Sequence, residues 1–211
     1  MDDFWSFLKT LTDPQSILSY GGIVLLLFVI FSETGLLIGF FLPGDSLIFI
    51  SGLFCATKPS YLNNVSFPIL VFLLVTAAFS GNMVGYWFGK KTGEKLFTKN
   101  DNLIFKKKYI ETTRAFFEKY GKMALIAGRF LPIIRTFAPI LAGVIQIELK
   151  KFFMYNLSGA LLWIGSISGI GFFLGRRFPQ IEGYLWWIVI GLIILTSIPV
   201  VITWFKTKRT N

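Results

Sequence analysis

The sequence predicts an all-α polytopic membrane protein built on an inverted repeat, in which a re-entrant helical hairpin followed by a transmembrane helix occurs twice, with additional N- and C-terminal transmembrane helices. Three observations predict this fold. Of 211 residues, 54% are hydrophobic and 15% are charged, which is too apolar for a soluble surface. Five apolar stretches are long enough to enter a bilayer. Short motifs recur among them in the same order. We interpret residues 1–211 as a single membrane domain.

The first apolar stretch, residues 14–57, is too long for one spanning helix, which needs about 20 residues. Pro43 and Gly44 interrupt it, and both residue types disfavour helix continuation. We therefore expect residues 17–32 to form a somewhat short spanning helix. Residues 33–57 are expected to form a re-entrant segment that turns near Pro43 and Gly44.

The remaining stretches predict a second re-entrant segment and three ordinary spans. Residues 123–147 contain Pro132, Pro139 and two arginines, which a plain lipid-facing helix would not tolerate. This segment is the second re-entrant candidate, punctuated by its prolines. The charge-free spans of ordinary length are residues 67–89, 152–175 and 183–205.

Two motif pairs indicate that the halves of the chain are copies. The run Gly-Phe-Phe-Leu-Pro at residues 39–43 recurs as Gly-Arg-Phe-Leu-Pro at residues 128–132. The glycine-aromatic-basic run at residues 85–91 recurs at residues 171–177. Either pair alone would be weak evidence, because small and aromatic residues match by chance in membrane proteins. Two pairs in the same order favour a repeat.

The distribution of basic residues predicts the orientation. The formal net charge is +10, and residues 90–122 alone carry ten Lys/Arg and four Asp/Glu. By the positive-inside rule this basic loop and the basic C-terminal tail are cytoplasmic. The first re-entrant segment then enters from outside and the second from the cytoplasm, an inverted arrangement associated with transporters. Arg176 and Arg177 fall outside in this topology, against the rule. The loop itself fits a helix on the anionic inner leaflet or a solvated connector equally well.

Four ionisable side chains lie inside apolar segments: Glu33, Asp45, Arg129 and Arg135. Each would cost about 2.5–3.5 kcal/mol at a bilayer centre, so they must face protein, water or each other. Both acids are in the first repeat and both bases in the second, so their charges cancel if the re-entrant segments meet. Pairing alone would explain their presence. As a functional hypothesis, the two guanidiniums bind an anionic headgroup, above all a phosphate, and the two carboxylates carry protons. Asp45 could also cap the helix after the break.

Other residues have supporting or structural interpretations. Glycines 81, 85, 89 and 93 form a small-residue ridge that permits close helix packing and allows a homo-oligomer without requiring one. Asn82 within it is an amide that could hydrogen-bond to a re-entrant segment. Pro43, Gly44, Pro132 and Pro139 would support the site by shaping the turns.

Several functions are disfavoured by what the sequence contains. There is no histidine and a single cysteine, Cys55, which argues against His-based phosphatases, Ser-His proteases and His-containing metal sites. Nothing supplies a nucleophile–base pair, so we expect no enzyme activity, and we expect no metal and no cofactor. Because the excess positive charge lies in one loop and the tail, the predicted partners are the bilayer, an anionic lipid and protons, not nucleic acid.

The chain resembles the DedA family, also called the SNARE-associated or VTT-domain family. The resemblance rests on Glu33 in Ser-Glu-Thr-Gly, the Phe-Leu-Pro-Gly-Asp-Ser run ending at Ser46, residues 81–86, and the arginine-proline run at residues 128–139. It implies a bacterial inner-membrane protein with two re-entrant segments that depends on the proton motive force. It also implies essential acids and arginines at the positions of Glu33, Asp45, Arg129 and Arg135. Many bacterial relatives carry aspartate where this chain has Asn82, so a third intramembrane acid is absent here.

The resemblance further implies lipid translocation. Bacterial members are implicated in returning undecaprenyl phosphate to the cytoplasmic leaflet, and eukaryotic relatives act as phospholipid scramblases. The leading hypothesis is a proton-coupled flippase for a polyprenyl phosphate, with undecaprenyl phosphate as the first candidate. The alternatives are a passive phospholipid scramblase and a proton-coupled antiporter of small solutes or ions.

Overall fold

The computed structural model describes residues 14–36, 44–97, 125–126, 128–130 and 132–178, and positions 180, 187, 188 and 191. These parts contain helices and no strand, as the predicted all-α class requires. The α-helices are α1 (Pro14–Gly35), α2 (Gly44–Thr57), α3 (Phe67–Phe97), α4 (Pro132–Val144) and α5 (Leu149–Arg177), and short 3-10 helices lie at Pro59–Leu62 and Gly128–Phe130.

Several predicted features fall outside the described residues. They are the first copy of the repeated motif with Pro43, most of the basic loop 90–122, the basic tail, and all but three positions of the C-terminal span 183–205. The beginning of the predicted basic loop is described and belongs to the end of α3.

The helices fall into a long and a short class. Helices α3 and α5 have 31 and 29 residues, and both contain apolar windows long enough to cross a membrane. They correspond to the predicted spans 67–89 and 152–175. Helices α2 and α4 have 14 and 13 residues. At 1.5 Å per residue they are about 20 Å long, shorter than a hydrocarbon core of about 30 Å.

The predicted boundary in the first apolar stretch is wrong by several residues. Glu33 lies in the last turn of α1, which continues to Gly35, and the Leu36 N–H closes this turn on the Ser32 carbonyl at 2.9 Å. No helix-breaking residue stands between Ser32 and Thr34, so nothing ends the helix there. The interruption inside α1 occurs instead at Gly22, whose φ of 53° and ψ of −147° are accessible mainly to glycine.

The prediction that Pro139 punctuates the second re-entrant segment is also corrected. Pro139 lies inside α4, which runs on to Val144. A proline in a helix interior loses one backbone hydrogen bond, here the one to the carbonyl of residue 135, but need not end the helix. Pro132 opens α4, which is the favoured helix position for proline.

Each short helix packs on the long helix of the other half. On α2, the backbone of Phe49 leaves no room for a Cβ at Gly171 of α5. On α4, the backbone of Ile140 does the same at Gly89 of α3, and Gly143 is closed in by Tyr86. Glycine permits these close approaches of helix backbones. The two halves are thus interlocked rather than side by side.

The glycine ridge of α3 has the structural role that its spacing indicates. Gly81 lies against the end of α1, where its backbone meets Gly35, and Gly89 lies against α4. The ridge therefore joins α3 to two other helices of the same chain. Gly93 lies in α3, but its surroundings are outside the described side chains.

Two apolar clusters enclose the place where the halves meet. The larger one joins α1, α2, α3 and α5 and includes Leu26, Leu47 and Trp163. The smaller one joins α3, α4 and α5 around Tyr86 and Phe152. The α5 residues between Phe152 and Trp163 therefore pass from one cluster to the other, and the buried polar side chains lie at this junction.

Candidate functional site

Buried polar side chains from six segments converge on one site. Glu33 and Arg135 are each 3% exposed, and Asp45 retains 13% exposure of its side chain. Arg129, Asn82 and Asn156 are equally buried. Ionised side chains are almost never this deeply buried without partners, so the contacts that each makes determine what the site can do.

Arg135 joins the two carboxylates. It projects from the first turns of α4, and its Nη1 donates to Oδ1 of Asp45 at 2.6 Å. Its Nη2 donates to Oε1 of Glu33. Glu33 comes from the end of α1 and Asp45 from the start of α2. One guanidinium thus ties three helices together, using the two prongs of its planar fork for two acids.

Asp45 serves this ion pair and not the predicted helix cap. It lies in the first turn of α2, but its Oδ1 accepts from Arg135 and from the Trp163 indole Nε1 at 3.0 Å. The same indole lies under Arg135, whose guanidinium carbon is 4.4 Å from the ring centroid. Trp163 is fully buried. It therefore positions both partners of the pair through a hydrogen bond and a cation–π contact.

Gly44 lets the Glu33 carboxylate approach the beginning of α2. A Cβ on Gly44 would overlap with Oε2 of Glu33, so any other residue would displace the carboxylate. This oxygen is buried and has no hydrogen-bond partner among the described residues. The N-terminus of a helix is electrostatically favourable for a negative charge. Gly44, which the sequence predicts as a supporting residue, thus supports the site by letting the Glu33 carboxylate lie close to its backbone.

Arg129 makes a different set of contacts. It lies in the 3-10 helix Gly128–Phe130, and its Nη2 donates to Oδ1 of Asn156. Asn82 satisfies both of its amide atoms when its nitrogen donates to the Thr34 carbonyl at 2.8 Å and its oxygen accepts from the same Nη2. Asn156 also donates from its nitrogen to the Phe79 carbonyl at 3.3 Å. Two neutral amides therefore hold this guanidinium.

One buried nitrogen of each arginine has no hydrogen-bond partner among the described residues. Nη1 of Arg129 and Nε of Arg135 are buried and make no hydrogen bond among the described residues. Both arginines line a small cavity that has room for about one water molecule. The cavity is otherwise lined by Asn82, Leu125, Gly128, Ala138, Pro139, Phe152 and Asn156. Both arginines with an unused donor thus line a narrow space between the halves.

The arrangement differs in part from the one expected. The structure brings Glu33, Asp45 and Arg135 into direct contact, but Arg129 has no carboxylate partner within the described ranges. The expectation that two carboxylates confront two guanidiniums is therefore wrong for Arg129. Asn82 contacts Arg129 in residues 123–147, as expected; the re-entrant course of that segment stays a prediction. Among these same residues, no group of three His, Cys, Asp or Glu side chains could hold a metal ion.

Sequence reasoning missed Asn156 and Trp163. Both lie in a span that contains no charge, so the presence of intramembrane charges does not reveal them. A usable signal was present: Asn156 is the only side-chain amide in residues 152–175, and Trp163 follows it by seven residues, which is two helical turns on the same face.

Comparisons with known proteins found a matching family model and several similar membrane proteins. Residues 42–173 match the VTT domain. The chain is 37% identical to protein DedA of Escherichia coli K12 over 185 residues, which cover 88% of this chain and 83% of that protein. It is 34% identical to an uncharacterized membrane protein of Mycobacterium tuberculosis H37Rv, covering 90% of this chain and 82% of that protein. It is 33% identical to inner membrane protein YqjA of Escherichia coli K12, covering 80% and 73%. No solved structure matched the chain.

Proposed function

The chain belongs to the VTT-domain family, which includes protein DedA, and on this premise we propose that it is a proton-motive-force-dependent lipid flippase of the bacterial inner membrane. The proposed substrate is a polyprenyl phosphate carrier, with undecaprenyl phosphate as the first candidate. Its phosphate would bind at the buried arginines while its prenyl tail stays in lipid. The family makes the chain a membrane protein; the activity and the substrate are our proposal.

The observation that carries the proposal is the Arg135 bridge between Glu33 and Asp45. Arginine stays protonated in proteins, so the groups that can change charge in this bridge are the two carboxylates. Protonation of one of them removes an ion pair and leaves Arg135 with unused donors in a buried site. A phosphate oxygen can then replace the lost carboxylate oxygen, because guanidinium forks bind both. Proton uptake and phosphate binding would thereby be coupled without histidine.

The location of the bridge suggests how binding could be transmitted to the fold. Arg135 is on α4 and Asp45 on α2, the two short helices that interlock the halves. The cavity beside the arginines holds about one water molecule, so a phosphate requires the short helices to separate. Breaking the bridge removes one of the contacts that hold them together. We propose that the described arrangement is the closed state of the transport cycle.

The same proposal includes the orientation predicted from the basic residues. The loop 90–122 and the C-terminus would be cytoplasmic, and the first re-entrant segment would enter from the outside. Protons and an anionic lipid are the proposed partners. We propose transport without hydrolysis, so phosphate released from the lipid should stay at background.

The test is transport by the full chain reconstituted in proteoliposomes. Undecaprenyl phosphate and phosphatidylethanolamine would each be supplied, with and without a pH gradient. We expect net accumulation of undecaprenyl phosphate that needs the gradient, and its loss in Arg129→Ala and Arg135→Ala. Arg176→Ala, which removes an exposed arginine at the end of α5, is the matched control and should transport normally.

The outcomes separate the alternatives. Equal equilibration of both lipids without a gradient would replace the proposal with a passive phospholipid scramblase. Proton-driven movement of small ions without lipid movement would replace it with an antiporter. Normal transport by either buried-arginine variant would refute the assigned phosphate site.

A further inference from the structure

We propose that Asn82 and Asn156 are specificity-determining residues, whose neutral amides hold Arg129 as a cation without a counterion so that this arginine is the first to receive the phosphate group. The inference rests on the proposed function and deepens it, because it separates the tasks of two arginines that the sequence treats alike. Arg135 would be the proton-gated cation, and Arg129 the permanently available one.

Arg129 and Arg135 differ in the partners that hold them. Arg135 is neutralised by two carboxylates in the resting arrangement, so an anion must compete with both. Among the described residues, Arg129 is bound through the amide oxygens of Asn82 and Asn156, which orient it and leave its charge in place. A buried cation with neutral partners attracts an anion more strongly than one already paired, because no carboxylate has to be displaced.

Arg129 also has an unused hydrogen-bond donor. Nη1 of Arg129 is buried and has no hydrogen-bond partner among the described residues. Nη2 donates to both amide oxygens. The cavity that Arg129 lines is also lined by Arg135. An incoming phosphate can therefore use the free edge of Arg129 while the amides keep their contacts, and reach Arg135 once that arginine is released. A dianionic phosphate monoester fits two cations at adjacent positions better than a singly charged diester does.

The amides of Asn82 and Asn156 are held in place by backbone carbonyls. Asn82 is anchored by the Thr34 carbonyl on α1 and Asn156 by the Phe79 carbonyl on α3. Aspartate has almost the same shape as asparagine but would bring a negative charge to Arg129. Arg135, which is paired with Glu33 and Asp45, lines the same cavity as Arg129. A further carboxylate would thus neutralise Arg129 and add to an already acidic group.

The experiment measures binding of farnesyl phosphate, a short prenyl phosphate, to the full purified chain in nanodiscs at pH 8.0 and pH 5.5. Farnesol is the uncharged comparison, and inorganic phosphate tests whether the headgroup alone suffices. Asn82→Asp and Asn156→Asp should each weaken farnesyl phosphate binding at least about tenfold relative to wild type at pH 8.0. At pH 5.5 the loss should persist, because pairing with Arg129 favours the ionised carboxylate. Farnesol binding by both variants should equal that of wild type, because the added carboxylate competes only with an anionic headgroup.

Asn64→Asp is the matched control, since it makes the same change in an exposed turn, and its affinity should equal that of wild type at both pH values. A merely structural role of the amides predicts that the aspartate variants lose farnesol binding together with farnesyl phosphate binding, which would overturn the inference. Unchanged affinity of both buried aspartate variants at pH 8.0 would overturn it as well. If wild type binds farnesol as tightly as farnesyl phosphate, the proposed function itself fails.

Discussion

Arg129 can reach the amide pair only because residue 159 of α5 is a glycine. A Cβ at Gly159 would lie 2.8 Å from Cδ and 2.9 Å from Nε of Arg129, closer than such atoms pack. Gly159 lies one turn after Asn156 on the same face of α5. The helix thus presents an amide for the end of the guanidinium and a gap for its stem.

Gly159→Ala should therefore displace Arg129 and abolish lipid transport. The added methyl group overpacks a buried site, so we expect a loss of about 1–3 kcal/mol in the free energy of unfolding. Gly165→Ala on the same helix is the matched control, because no atom of the described residues lies within 4 Å of its Cβ position. It should leave transport unchanged and stabilise the helix by about 0.5–1 kcal/mol. Thermal unfolding in detergent and transport in proteoliposomes measure the two effects. Equal behaviour of the two variants would contradict the account of Arg129.

The site residues differ in how far the sequence can reveal them. Glu33, Asp45, Arg129 and Arg135 stand out because a charge in an apolar segment is costly wherever it lies. Their pairing is not revealed, because it depends on which helices cross. Trp163 could not be identified as a partner for the same reason, since an indole in an apolar span is ordinary and becomes informative only when its N–H faces a carboxylate.

At the scale of helices, the short helices are seated on the long ones by glycines. The contact of α2 with α5 places backbone atoms of Phe49 at Gly171 and those of Ser168 at Gly52. Gly169 lies two residues from Gly171, on another face of α5, and within the described part of the chain no atom lies within 4 Å of its Cβ position. One helix thus carries a glycine that packing requires and a glycine that it does not.

We expect Gly171→Ala to lift α2 from α5 and to destabilise the protein by about 1–3 kcal/mol. Since α2 carries Asp45, transport should also fall. Gly169→Ala should be neutral or stabilising by about 0.5–1 kcal/mol, with normal transport. The comparison uses the same residue change, two positions apart, and is read by thermal unfolding. A stable Gly171→Ala variant would show that α2 is not seated by this contact.

The elements themselves are predictable to different degrees. The spans 67–89 and 152–175 follow from length and hydrophobicity alone, and α3 and α5 contain both. The end of α1 was misplaced because charge, which marked Glu33 as unusual, does not break helices. Pro139 does not end α4, because a proline can remain in a helix when the surrounding packing compensates for the lost hydrogen bond.

For the whole molecule, the exchange of short helices between halves supports the repeat that the motifs predict. Helix α2 of the first half packs on α5 of the second, and α4 of the second packs on α3 of the first. An inverted repeat related by an axis in the membrane plane would produce this reciprocal packing. It also requires that the connections after α2 and after α4 lie on opposite sides of the membrane.

Labelling of single cysteines tests this topology. In a Cys55→Ser background, Ser60→Cys reports the exposed connection after α2 and Glu148→Cys the exposed connection after α4. We expect a membrane-impermeant maleimide to label Ser60→Cys in intact spheroplasts and Glu148→Cys only after permeabilisation. Labelling of both variants from the same side would contradict the inverted arrangement, whatever the transported substrate is.

The buried charges of the site balance one another. Glu33, Asp45, Arg129 and Arg135 sum to zero at the junction of the halves. Adding an anion to such a site without a compensating charge is costly. Each negative charge of the bound headgroup should therefore be accompanied by a proton on Glu33 or Asp45. Because the complex then holds more protons than the free protein, affinity should rise as pH falls, by about tenfold per pH unit for each proton taken up.

Calorimetric titration with farnesyl phosphate in buffers of different ionisation enthalpy measures this proton uptake directly. Between pH 7.5 and 8.5 a phosphate monoester is a dianion, since its second pKa is about 6, so up to two protons should be taken up. Glu33→Gln or Asp45→Asn should each remove one. Glu148→Gln is the control: Lys151, 2.9 Å away, holds the pKa of the Glu148 carboxyl below its usual range, so this group stays ionised throughout. Binding without proton uptake in wild type would separate phosphate recognition from the proton gradient and leave the carboxylates a purely structural part in closing the site.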